Sequence, residues 1–314
     1  MQTLLTDDPR VAAQFIRNGK IVAFPTETVY GLGANIFDVS AVISIFTAKG
    51  RPDDNPLIAH ICELNDLTRL TSNITDSAAD FIKAFFPGPL TVILPKHTNV
   101  PLQATAGLNT IGIRMPSHPV ALDFIRACDV PLVAPSANLS GKPSPTTWST
   151  VLDDLEGRIP CILKGEPTQV GLESTVVDCT TESPVILRAG AVTLEQLREI
   201  NPATSFSNRA SGEPTRSPGM KYKHYAPQAK VIVISSSASM PFESDAAFIG
   251  LHPVAANNFK RVFIAKDVSE YSRLVFQFFR DCDAQGIKTI YCEAVEESGL
   301  GVALMDRIRR ASFR

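Results

Sequence analysis

Between Pro25 and His60 the chain sets a strand end, two close glycines, a helix-length apolar run and a Lys-x-Arg pair within about one βα unit, and that order commits the segment to an α/β layering. Ile21 to Phe24 is an apolar run of strand length that Pro25 stops, which leaves Thr26, Glu27 and Thr28 at a strand tip. Gly31 and Gly33 permit a positive φ or a close backbone approach. Asp38 is placed to cap a helix whose Val39, Val42, Ile45 and Phe46 share one stripe, and Gly50 is its natural stop. Lys49 and Arg51 leave that stop together, and Pro52 and Pro56 stiffen the loop carrying Asn55. Two cations and an amide held near one place suit phosphates. Gly31-x-Gly33 lacks the third glycine of a dinucleotide fingerprint, and a Lys-x-Arg pair after a helix also serves the helix dipole.

At 314 residues the chain exceeds the usual single-domain size, so two domains are expected. A formal charge of -2 and a pI near 6.2 argue against a general nucleic-acid scavenger and leave room only for a local basic cleft. The six cysteines form no C-x-x-C pair and lie mostly in apolar runs, which fits buried thiols rather than zinc ligands or a disulfide framework. MQTLLTDDPR has acids where a signal peptide needs a basic region, and no apolar run reaches membrane-spanning length. A cytoplasmic protein with no membrane partner is the expectation.

Further along, Thr6 or Asp7 with Pro9 opens a first helix that Gly19 closes. Leu57 to Ile61, Leu90 to Leu94 and Thr110 to Ile113 read as strands, and Thr75 or Asp76 caps a helix over Ala79 to Phe86. His60 inside its run reads by default as a core histidine satisfied by a carbonyl. Arg114, which follows Ile-Gly-Ile, serves either as a surface cap or as a fork for a carboxylate in a cleft. Pro131 to Ala134 feeds PSANLSGKPSPT, where Ser136, Asn138, Ser140 and Ser144 offer neutral donors for phosphate oxygens or simply a polar turn before a helix from Thr146 to Glu156. Cys161 to Lys164, Ser174 to Asp178 and Val185 to Leu187 close the first domain, with Glu173-Ser174-Thr175 and Arg188 at strand tips. A Thr193/Gln196 capping box opens a last helix.

The chain therefore divides into residues 1–200, a proline- and cation-rich linker at 201–230, and residues 231–314. In the last part, strands at Val231 to Ile234, Ala247 to Gly250, Val262 to Ala265 and Lys288 to Cys292 alternate with helices, one of them opened by an Asp267/Glu270 capping box, which implies a small parallel sheet. SPGMKYKHYAP in the linker carries stacking surface beside charge and reads as a segment that docks.

PTETVYGLGAN followed by KGRPDDNPLIAH resembles the signature of the Sua5/YrdC family, the threonylcarbamoyl-AMP synthases, and SPGMKYKHYAP resembles the linker of its Sua5 branch. The resemblance implies a YrdC-like twisted open mixed sheet with flanking helices, plus a small Rossmann-like parallel α/β C-terminal Sua5 domain. It implies formation of L-threonylcarbamoyl-adenylate and pyrophosphate from L-threonine, bicarbonate and ATP. A separate transferase complex would then carry the group to adenosine 37 of tRNA, so direct tRNA binding is not expected of this chain. By the same carry-over, Lys49, Arg51, Ser136 and Asn138 form the catalytic set; Asn55, Thr110, Ser144, Arg188 and Tyr225, or alternatively Tyr222, meet ATP; and Thr28, His60, Arg114, Ser174 and the Ala134 backbone hold threonine. Mg2+ is expected to ride on the ATP phosphates, since no acidic cluster announces a protein-held ion.

Such chemistry explains the residue types. The nucleophile comes from the substrate, which fits a chain whose serines lack a G-x-S-x-G setting. Positioning, charge neutralisation and the exclusion of water from a hydrolysable adenylate remain as the protein's work, and the resemblance makes SPGMKYKHYAP the expected lid over the cleft. The competing class is a non-catalytic RNA-binding module with a basic cleft. A carbamoyl-transfer enzyme of the hydrogenase-maturation type is disfavoured by the missing zinc-finger cysteine pairs.

Overall fold

A computed structural model describes residues 2–207, 225–235, 244–254 and 259–312. The linker residues 208–224, and with them Tyr222 and most of the expected lid, lie outside the described residues.

The N-terminal part contains strands β1 (Leu4–Thr6), β2 (Val22–Phe24), β3 (Gly31–Asn35), β4 (Ile58–His60), β5 (Leu90–Pro95), β6 (Thr110–Arg114), β7 (Leu132–Val133), β8 (Cys161–Leu163), β9 (Thr175–Asp178), β10 (Val185–Arg188) and β11 (Ser205–Phe206). They form one mixed sheet in the order β1-β8-β2-β3-β7-β4-β6-β5-β9-β10-β11. Helices α1 (Pro9–Arg17), α2 (Val39–Lys49), α3 (Leu67–Leu70), α4 (Asp76–Phe85), α5 (Pro119–Cys128), α6 (Trp148–Leu155) and α7 (Leu194–Ile200) flank it. One core joins α2, α4 and α6 to the sheet through Ile45, Phe46, Phe81 and Val151. Another lies under α1 and α5, where Ile16 and Phe124 pack around Phe24.

Most helix ends follow from their caps. Asp38 accepts from the Ala41 amide, Gly50 ends α2 at φ +59°, and Thr193 and Gln196 exchange both bonds of a capping box. Two expectations are corrected, and a third, which left two roles open for a glycine pair, is narrowed to one. Asp8, rather than Thr6 or Asp7, caps α1. Glu270 accepts from the Lys266 amide, so Asp267 caps its helix without a reciprocal box. Gly31 and Gly33 lie within strand β3, which pairs antiparallel with β2, and neither has a positive φ. They serve close approach instead, because a Cβ at Gly33 would sit 3.0 Å from the Phe24 ring.

The second sheet is parallel throughout, in the order β12-β15-β13-β14, from β12 (Lys230–Ile234), β13 (Ala246–Gly250), β14 (Arg261–Ile264) and β15 (Thr289–Glu293). Helices α8 (Val268–Ala284) and α9 (Leu300–Ser312) cover it. Its core continues into the first domain, since Val29 and Leu172, with Tyr225 of the linker, pack in the same cluster as Phe276 and Leu304.

Candidate active site

Strand directions gather the polar tips. β4 and β6 run parallel with His60 opposite Arg114, so both side chains leave the same end of the sheet. β9 starts and β10 finishes at that end as well, because β5 and β6 are antiparallel and β9 and β10 are antiparallel. Ser174 and Arg188 thereby join Arg114. Beside them opens a cleft whose empty space, counted with its open mouth, is about 670 Å³.

At its inner end Arg114 is buried and already oriented. Its Nη2 lies 2.6 Å from Glu27 Oε1, Nη1 donates to Thr28 Oγ1 at 2.8 Å, and Nε reaches the Gly88 carbonyl at 3.3 Å. Thr28 is 2.8 Å from Thr26 Oγ1, which in turn donates to the Val29 carbonyl, so the hydroxyl directions along the turn are set. His60 Nδ1 is 3.0 Å from the Ile58 carbonyl, which makes Nδ1 the protonated nitrogen and leaves Nε2 as an acceptor. Burial, with the Arg114 charge behind it, lowers the His60 pKa to about 3, so the ring is neutral. Its default role as a carbonyl-satisfied core histidine and its place on the cleft wall coexist. Ser174 Oγ meets Thr91 Oγ1 at 2.8 Å and Arg188 Nη2 at 3.1 Å.

The outer end is built on the loop after β7. Ala134 donates to the Ile58 carbonyl, and Ser136 bridges to Gly31, so the loop crosses over β3. Ser136 Oγ donates to Asn138 Oδ1, and Asn138 Nδ2 donates to the carbonyls of Leu139 and Lys142 at 2.7 and 3.0 Å. Lys49 lies beneath this loop. Its Nζ reaches the Asn138 carbonyl at 2.6 Å and also the Ser136 carbonyl and Asn138 Oδ1, and it is not part of the cleft wall. Burial, reinforced by Arg51, pushes its pKa well down. Arg51 is on the wall, with Nη2 3.4 Å from the Asn55 carbonyl. Asn55 is fully buried, and neither end of its amide has a hydrogen-bond partner among the described residues. An amide left so costs about 1–3 kcal/mol until a water or a ligand meets it.

Thr110 stands apart. It opens β6 at the far end from Arg114 and borders a smaller hollow with Gly112 and Val176, which shares Ile58 with the main cleft. Ser144 lies on the cleft wall and donates to Glu173 at 2.5 Å, and Glu173 also receives Arg307 Nε at 2.8 Å. Tyr225 is buried at φ +65°, stacked on Phe276 at 5.3 Å, with the Arg307 guanidinium 5.3 Å from its ring centroid. Glu173, Lys142 and Arg307 were not singled out as site residues from sequence. The strand-tip position of Glu173 was a usable signal; Arg307, in a cationic terminal helix, carried none.

No group of three or more His, Cys, Asp or Glu side chains suited to a metal occurs among the described residues. Glu173 on the cleft wall and Glu27 behind Arg114 both face arginines. The arrangement thus offers fixed cations and oriented hydroxyls, with the Asn55 amide buried behind Arg51. The Ser144 hydroxyl does face a carboxylate, that of Glu173; burial favours its neutral form, yet Arg307 and Arg188 hold its pKa below the usual carboxylate range, which makes it a poor base. Such a site binds and aligns anions.

The family profile described as "Telomere recombination", for Sua5, YciO and YrdC proteins, matches residues 14–190, and "Threonylcarbamoyl-AMP synthase, C-terminal domain" matches 192–312. The chain belongs to the Sua5/YrdC family. It is 44% identical to the threonylcarbamoyl-AMP synthase of Pyrococcus abyssi over 96% of this chain and 93% of that one, and 40% identical to that of Bacillus subtilis over 98% and 94%. The crystal structure of P. abyssi Sua5 complexed with L-threonine superposes with a TM-score of 0.90 at 44% identity, covering 97% of this chain and 94% of that one. Escherichia coli YciO, at 27% identity and a TM-score of 0.53, covers 60% of this chain. Sua5-type membership brings an enzyme with two domains and sets aside the non-catalytic RNA-binding module. Among the described residues, no helix is long and apolar enough to cross a membrane.

Proposed function

We infer that this chain is an L-threonylcarbamoyladenylate synthase, which forms threonylcarbamoyl-AMP and pyrophosphate from L-threonine, a one-carbon unit and ATP for threonylcarbamoyladenosine at position 37 of tRNA. The observation that carries the reading is the convergence of Arg114 and Arg51, 63 positions apart, on one cleft whose inner end is lined by Thr28, His60 and Ser174. One small amino acid and one polyphosphate fit that division of charge.

In this reading threonine's carboxylate takes the remaining N–H groups of Arg114, which Glu27, Thr28 and Gly88 hold in place. Neutral His60 Nε2 and the Ser174 hydroxyl offer acceptors to the substrate hydroxyl, and an analogue lacking it leaves the His60 nitrogen unpaired. The neutral threonine amine combines with CO2 from bicarbonate to give an N-carboxylate, the amine proton and bicarbonate's hydroxide leaving as water. That oxygen attacks the α-phosphorus, the bond from the α-phosphorus to the bridging oxygen breaks, and pyrophosphate leaves. Arg51, Ser136 and Asn55 meet the phosphates, while Lys49 fixes the loop that presents Ser136 and Asn138. Arg188 and Ser144 reach ATP from the β10 side with Tyr225, and Thr110 meets the end of the nucleotide lying along the sheet. Mg2+ enters with ATP, since Glu27 and Glu173 are committed to arginines. A separate transferase then consumes the adenylate.

Pyrophosphate release from ATP and bicarbonate, measured with each amino acid in turn, tests this. Release should require L-threonine and fall at least tenfold with valine, in line with the loss of a hydrogen-bonded hydroxyl. Equal rates with valine, or release without any amino acid, would refute the assignment.

A further inference from the structure

Helix α8 of the second domain reaches the loop behind the cleft wall through Arg280. Its Nη1 and Nη2 grip both carboxylate oxygens of Asp154 at 2.8 Å each, and Nη2 also donates to the Pro143 carbonyl. Asp154, whose side chain is fully buried on α6, accepts further from the Leu139 amide at 3.2 Å and from Lys142 Nζ at 2.8 Å. Two cations therefore share one carboxylate, and the group carries a net charge of +1. Burial disfavours the ionised Asp154, yet Arg280 and Lys142 hold its pKa below the usual carboxylate range, so the surplus persists at neutral pH.

The two cations are not equivalent. Arg280 keeps 12% of its side chain exposed, with both terminal nitrogens committed. Lys142 keeps 43% exposed, shares an oxygen already taken by Arg280, and lies on the cleft wall with Ser136 and Asn138. Its flexible stem lets the ammonium turn without disturbing the loop, whose shape rests on the Lys142 carbonyl rather than its side chain. Lys49, by contrast, has its ammonium spent on loop oxygens.

We propose that Lys142 is a further polyphosphate-binding cation of this cleft, which meets the β- and γ-phosphates and then the leaving pyrophosphate, and that Arg280 of the second domain frees it by neutralising Asp154. The proposal rests on the cleft being the ATP site. As the bond to the α-phosphorus breaks, negative charge builds on the departing pyrophosphate, and a cation there favours that charge. The second domain would thus act on the chemistry without touching substrate.

Calorimetric titration of the full chain with magnesium pyrophosphate, alongside steady-state kinetics, tests it. Lys142→Gln should weaken pyrophosphate binding and raise the KM for ATP about fivefold, the scale of one partly exposed charge contact, with the KM for threonine unchanged. Lys142→Arg should stay within about twofold of the wild type. Arg280→Gln should reproduce the loss by returning Lys142 to Asp154, and the double variant should be no worse than either single one. Wild-type pyrophosphate binding in Lys142→Gln, or additive losses in the double variant, would overturn the proposal. A wild-type chain that neither binds pyrophosphate nor releases it from ATP with threonine would instead overturn the ATP reading beneath it.

Discussion

His60 shows how burial decides a residue's job here. Its pKa falls from 6.5 to about 3, so the folded chain refuses a proton that the unfolded chain takes up between those values. The sign follows: the stabilisation is complete above about pH 6.5 and is lost as pH falls toward 3. Between pH 7 and pH 5 the wild type should lose on the order of 1–2 kcal/mol in urea unfolding from this group, and His60→Gln should flatten that part of the profile. Arg114→Lys keeps the charge and removes the planar fork. The threonine KM should rise roughly 10- to 100-fold while the ATP KM moves little, and comparable losses for both substrates would place Arg114 elsewhere. Family signatures located Arg51, Ser136, Asn138 and Arg114 in the sequence. They could not show that Lys49 turns under the loop, since that depends on how the carbonyls of Ser136 and Asn138 are presented.

Among the elements, caps and apolar runs were legible and the glycine-rich strand was not. Asp38 and Thr193 sit at caps that local chemistry requires, and Asp38→Ala should cost about 1 kcal/mol in thermal or chemical unfolding. β3 escaped notice because Gly-Leu-Gly-Ala-Asn has neither β-branched residues nor alternation, and its strand character comes from pairing with β2. The glycines are needed by Phe24, whose ring also meets His60 edge-on at 5.9 Å. Gly33→Ala should therefore destabilise by roughly 1–3 kcal/mol and raise the threonine KM as well. Unchanged stability would mean that the ring moves aside freely. Short strands β1 and β11 were missed for a related reason, since each relies on one parallel neighbour for its register.

Over the whole molecule, the two sheets meet through buried ion pairs that no local pattern announces. Arg307 is fully buried yet 134 residues from its partner Glu173, and Arg280 lies 126 residues from Asp154. Sequence reading saw a second parallel sheet and gave it no chemistry; the side chains that cross to the cleft emerge only from the packing. Arg307→Met should cost about 3–5 kcal/mol by stranding Glu173, whereas Arg309→Ala, at the exposed pair with Glu297, should cost at most about 1 kcal/mol. Equal costs would deny the interface its structural role. The product itself distinguishes this reaction from simple amino-acid activation, and isotopic labelling reads it. Wild-type protein given 13C-bicarbonate, ATP and L-threonine should yield an adenylate whose mass includes threonine and one labelled carbon. An adenylate of threonine lacking the label, or AMP and pyrophosphate with no carbamoyl adenylate, would contradict the account.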